Sequence, residues 1–69
     1  MKGSDVHALS DHDLVERLKQ ARGEAFNLRF RHATGELENT AGLAGARRDV
    51  ARLMTVARAR GIDLQRELR

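Results

Sequence analysis

Apolar residues recur along this chain at helical spacing, in two blocks separated by a short stretch that holds Gly35. In the first block Leu14, Leu18, Ala21, Ala25 and Leu28 follow one another at steps of 4, 3, 4 and 3. In the second, Leu43, Ala46, Val50, Leu53 and Ala57 follow at 3, 4, 3 and 4. Steps of three and four keep side chains on one side of a helix, whereas a strand would need alternation. Each block is therefore a single apolar stripe. Composition agrees: alanine and leucine number 19 against 8 for valine, isoleucine and threonine, with no proline. Two stripes joined by a turn of about four residues meet only if the helices fold back on each other. The sequence thus predicts an all-α protein, a long antiparallel two-helix hairpin forming one domain over residues 1–69. The alanines let the backbones approach, with knobs-into-holes packing over roughly 20 residues per arm, or about 30 Å.

Punctuation sets the boundaries. Ser10 can accept a hydrogen bond from a free amide of the first turn, and Asp13 stands at the third helical position. Asp11, Asp13 and Glu16 put negative charge at the positive end of the helix dipole. The first helix is expected over about residues 11–33, ended by Gly35, with a turn over about 35–38. Asn39 is the expected second cap, and the second helix covers about 40–60, ended at Gly61. Residues 4–9 form a short N-terminal helical turn, and the tail 61–69 adds one loose turn or frays. Gly23, Gly42 and Gly45 fall inside helices, each costing about 1 kcal/mol relative to alanine. Two layers leave most of each helix in solvent. Marginal stability alone, and firm structure when bound, are expected.

Several functions fall away. No apolar run approaches the roughly 20 residues of a membrane span. No apolar stretch follows Met1–Asp5 to act as a secretory signal, so a cytoplasmic protein is expected. There is no cysteine, hence no disulfide or thiolate metal site. His7, His12 and His32 are too dispersed along the hairpin to converge on a metal. No catalytic residues, cofactor or small-molecule substrate are expected, because a core this small leaves little room for a water-excluded pocket.

Charge is unevenly placed. The net formal charge is only +3, yet residues 17–35 and 47–60 each carry +4, against −3 in residues 1–16 and −2 in 36–46. All basic residues but Lys2 and Lys19 are arginine. At about 100° per residue, Arg47, Arg48, Arg52 and Arg58 fall within an arc of roughly 140°, opposite the apolar stripe. Guanidinium offers a planar fork of donors suited to phosphate, so an outward arginine face reads as a nucleic-acid footprint. A solvated charged face, with pairs such as Asp13–Arg17, is the plainer alternative. From charge alone both stand.

Phe26 and Phe30, the only aromatics, share a side of the first helix rotated by more than 90° from its stripe. Val15 and the stems of Lys19 and Arg22 share that side. Either the rings cover the loop end with Ala33 and Leu37, or they form a contact surface for RNA or a neighbouring protein.

The run Phe26-Asn27-Leu28-Arg29-Phe30-Arg31-His32-Ala33-Thr34-Gly35-Glu36-Leu37-Glu38-Asn39-Thr40, with Arg47-Arg48-Asp49-Val50-Ala51-Arg52 and Thr55 beyond it, resembles the bacterial L-twenty-nine family of large-subunit ribosomal proteins. The likeness covers about residues 4–62 and keeps the spacing between the two blocks. It departs at Ala25, where a larger apolar residue is usual, and at Gly42, Ala44 and Gly45, where longer and often basic side chains stand. Ala57 and Ala59 are also small for the closing end. The resemblance implies a helical hairpin bound to large-subunit ribosomal RNA at the rim of the polypeptide exit tunnel. It implies ribosomal protein L-twenty-three as a neighbour, with trigger factor and the signal recognition particle docking nearby.

It also implies that Asn27, Arg29, Thr34 and Gly35 belong to the loop signature, and that Arg47, Arg48 and Arg52 match the basic second-helix block. Face and charge add Lys19, Arg22, Arg31, Thr55 and Arg58 as RNA-binding candidates, with Phe26 and Phe30 as protein-contact candidates. The expected function is a structural, non-enzymatic, ribosome-bound constituent of the large subunit. The rival is an antiparallel coiled-coil interaction module that dimerises through the two phenylalanines.

Overall fold

The computed structural model describes residues 3–36 and 41–68. Four helices follow in order: α1 (Gly3–His7), α2 (Asp11–Ala33), α3 (Ala41–Ala59) and α4 (Leu64–Glu67). The long pair α2 and α3 lie against each other as an all-α hairpin, and α1 and α4 both pack on α3. The Cα atoms span 38 × 26 × 15 Å. The thinnest dimension is about two helices across, and the outer flanks of the long helices stay open. Leu37, Asn39 and Thr40, assigned above to the turn and second cap, lie outside the described residues.

Local chemistry explains where the helices stop. Ser10 is extended and its hydroxyl oxygen accepts from the Asp13 amide at 3.2 Å, holding a donor that the first turn would otherwise leave unmet. Gly35 and Gly61 have φ of 81° and 75°, a region L-side chains rarely enter. At each the chain closes on the helix it leaves. The Glu36 amide donates to the Arg31 carbonyl at 2.9 Å and the Gly35 amide to that of His32 at 3.2 Å. The Ile62 amide donates to Ala57 and the Gly61 amide to Arg58, both at 3.0 Å. This paired closure satisfies final-turn carbonyls and turns the next residue back toward the body. Ile62 accordingly packs against the core.

Burial is concentrated at the open end of the hairpin. Leu14 and Leu18 of α2, Leu53, Val56 and Ala57 of α3, and Val6 of α1 form one buried cluster. Leu9, Met54, Ile62, Leu64 and Leu68 pack around it. The stripe thins toward the loop, where Leu28 and Leu43 are only half-buried. The hairpin is as expected, and the short terminal segments add apolar cover where the chain ends return. The tail does not simply fray. It forms α4, with the Asp63 carboxylate accepting from the Arg66 amide at 3.3 Å.

Arg60 fastens this closure. Its guanidinium donates to the carbonyls of Leu9 at 2.7 Å and His7 at 3.0 Å, and to the Asp11 carboxylate at 3.1 Å. The His7 carbonyl is the last of α1, where a cation is favoured, and that of Leu9 lies in the linker before α2. One planar fork thus ties α3 to the α1–α2 elbow. Arg60→Lys is expected to cost about 2 kcal/mol, because a lysine ammonium cannot reproduce the fork. Urea unfolding of the two proteins checks this; equal midpoints would show that the three bonds add nothing.

Candidate nucleic-acid interface

The stripes decide which side chains remain available. With Leu14, Leu18, Ala25, Leu53 and Ala57 turned inward and buried, the arginines between them are forced to the flanks. Arg22, Arg29, Arg31, Arg47, Arg48, Arg52 and Arg58 are all exposed. Arg60 is half-buried and engaged in the fold. The periodicity that builds the hairpin thus also sorts the cations.

The structure divides the arginine arc of α3 into two sides. Arg47 faces α2, where it lines an open groove with Arg22, Ala25, Phe26, Arg29, Val50, Ala51 and Met54. The groove encloses about 410 Å³. Its neighbour along the hairpin is a recess containing Arg58, with Arg22 and Met54 shared between the two. Arg48, Arg52 and Thr55 instead face α1, lining a second groove with Val6, His7, Ala51 and Val56. Ala51 is the ridge between the two grooves. Among the described residues, neither groove has a carboxylate in its lining. A third concavity, between α2 and the C-terminal turn, differs: Asp11, Glu16, Asp63 and Glu67 stand there with Lys19, Arg60 and Arg66. Two flanks therefore favour a polyanion, and the third is mixed in charge.

The other candidates are scattered. Lys19 lies 3.5 Å from Glu16 and belongs to the mixed concavity. Arg31 sits 4.0 Å from Glu36 across the helix end. At about 100° per residue it points some 200° away from Arg29. Asn27 is exposed and lines none of these grooves. The Thr34 hydroxyl donates to the Arg31 carbonyl at 3.0 Å, and Gly35 supplies the positive φ of the helix end. The Thr55 hydroxyl donates to the Ala51 carbonyl at 2.8 Å, leaving its lone pairs toward the second groove. The suggested Asp13–Arg17 pair is not among the ion pairs of the described residues.

Phe26 and Phe30 are 65% and 61% exposed. They do not cover the loop end; Ala33 is exposed too, and Leu37 lies outside the described residues. Val15, expected on the same side, is instead buried, beside Arg60, Gly61 and Ile62. The ordered tail removes it from the aromatic face. Met54 was missed by stripe counting. It lies three before Ala57 and four after Val50, at the stripe's margin, and half-buried there it walls both the groove and the Arg58 recess.

Among the described residues no cluster of three histidine, cysteine or acidic groups is placed to hold a metal, and no helix is long and apolar enough to cross a membrane. What remains is a helical hairpin with two basic flanks. Residues 4–60 match the model of the family described as Ribosomal L29 protein. The large ribosomal subunit protein uL29 of Lactobacillus acidophilus is 43% identical over 63 residues, covering 91% of this chain and 97% of its own. That of Desulforapulum autotrophicum is 44% identical over 64 residues, covering 93% and 98%. That of Saccharopolyspora erythraea is 46% identical over 61 residues, covering 88% and 76%.

Proposed function

This chain belongs to the ribosomal L29 protein family, structural constituents of the large ribosomal subunit, and we propose that it holds its place there by bridging two segments of ribosomal RNA with two arginine flanks. The carrying observation is the division of the arginines by the hairpin. Arg22, Arg29 and Arg47 line one groove and Arg48 and Arg52 another, on different sides of α3 and with no carboxylate among the described residues of either lining. A rod with cations on one side would lie on a single RNA segment. Cations on two sides let it bridge two segments, neutralising the phosphates of both and releasing their counterions. Guanidinium forks suit the task because they bind phosphate oxygens in pairs. The role is structural rather than catalytic.

In this reading the segments lie near the polypeptide exit tunnel. Ribosomal protein L-twenty-three is the neighbour, and trigger factor and the signal recognition particle dock close by. The family resemblance supports that location. The dimerising coiled-coil alternative has no feature of the fold in its favour beyond the two exposed rings. Sedimentation of cell extract through a sucrose gradient tests the reading. The chain is expected with large subunits and to leave them in high salt. A free dimer at the top of the gradient would sink the proposal.

A further inference from the structure

Phosphate binding leaves Phe26 and Phe30 unexplained. They are the largest apolar groups in solvent, and an ion pair has no use for a ring. Phe26 shares its groove with Arg22, Arg29 and Arg47, over a base of Ala25, Val50 and Met54. An occupant must satisfy both kinds of wall. A purely apolar partner would strip water from three guanidiniums and give nothing back. Duplex RNA offers phosphates, but its base faces are already stacked within the helix. An acidic peptide offers carboxylates without the flat π-surface that two rings and a row of guanidiniums accept best. An unpaired nucleotide carries a flat base and a phosphate in one unit.

Spacing supports this occupant. Side chains four apart on a helix start about 5–6 Å from each other. One stacking step is about 3.4 Å, so a base laid against one ring lies within reach of the other.

We propose that the groove walled by Arg22, Phe26, Arg29 and Arg47, continued toward the loop by Phe30, holds an unpaired nucleotide of RNA. Its base stacks on the phenylalanines and its phosphate meets the guanidiniums. The inference rests on the RNA-binding reading above and gives the two flanks different tasks. The Arg48–Arg52 side grips backbone, and the aromatic side holds a base that has left its helix.

The test compares the full chain with Phe26→Ala/Phe30→Ala and Phe26→Tyr/Phe30→Tyr variants, each bound to large-subunit RNA depleted of the native protein. Affinity is measured against salt, and base-specific chemical modification reports which unpaired nucleotides are shielded. Both rings are exposed, so the alanine variant is expected to keep its helical circular dichroism. It should bind about 5- to 100-fold more weakly for one lost stack, with the salt slope unchanged because no phosphate contact is lost. At saturation, one or more unpaired bases shielded by the wild type should become reactive, and the tyrosine variant should restore the shielding. Identical shielding by the wild type and the alanine variant overturns the inference. So does a variant that loses only a neighbouring protein from the particle. A wild-type chain that binds the RNA but shields no base also overturns the inference, whereas one that does not bind the RNA at all removes the RNA-binding reading itself.

Discussion

Leu53→Ala is expected to leave the free protein largely unfolded at 25 °C. Leu53 is fully buried at the centre of the cluster that joins α1, α2 and α3, against Val6, Leu14 and Leu18. Truncating a buried leucine costs about 2–5 kcal/mol, the upper part of that range applying where the surroundings cannot collapse into the space. Here the facing side chains sit on two rods held by the same packing, so collapse is resisted from both sides. A core in a chain this short supplies only about 3–5 kcal/mol in total. The loss is therefore comparable to the whole stability. Far-ultraviolet circular dichroism should show the variant with little helix and no cooperative thermal transition. A sharp transition within a few degrees of the wild type would mean that stability resides elsewhere, for instance along the Ala25–Val50 portion. Binding offers a contrast. A partner that selects the folded hairpin stabilises it in proportion to its concentration over its dissociation constant, so excess RNA should restore much of the lost helix.

The architecture was legible because each governing signal is local. Ser10 and Gly35 are single-residue signals whose backbone consequences need no knowledge of the partner helix. The 3–4 stripes required only the helical period. The features that escaped depend on contacts distant in sequence. Arg60 looks like one more cation of the second basic block. Its role is set by the carbonyls of His7 and Leu9, some fifty residues away. Val15 looks like a companion of the phenylalanines until the C-terminal turn comes beside it. The exposure of the arginines was legible, and their layout was not. A wheel drawn for α3 alone places Arg47 and Arg48 in one arc, and nothing within that helix shows that α2 bounds one side and α1 the other. Charge was read correctly as pointing outward, but outward proved to be two directions.

That division gives the second large expectation a definite form. Arg47→Ala/Arg48→Ala/Arg52→Ala removes guanidiniums from both grooves at once, and all three positions are exposed on α3. Alanine favours helix, so the fold should persist. If each arginine neutralises one phosphate, the slope of log affinity against log salt becomes shallower by about 0.7–0.9 per residue, or about 2–3 in all. Electrostatic terms of this kind vanish toward 1 M salt. The affinities of variant and wild type should therefore converge there and lie about 100- to 500-fold apart one decade lower, near 0.1 M. Filter binding to large-subunit RNA across that range measures both quantities. On the bridging proposal, the pair Arg48→Ala/Arg52→Ala should account for about two-thirds of the slope change and Arg47→Ala for the remainder, one phosphate contact being lost with each arginine. An unchanged slope in the triple variant would show that these arginines meet water rather than phosphate. A single arginine carrying the whole change would show that only one flank is occupied, and the bridging arrangement would fail with it.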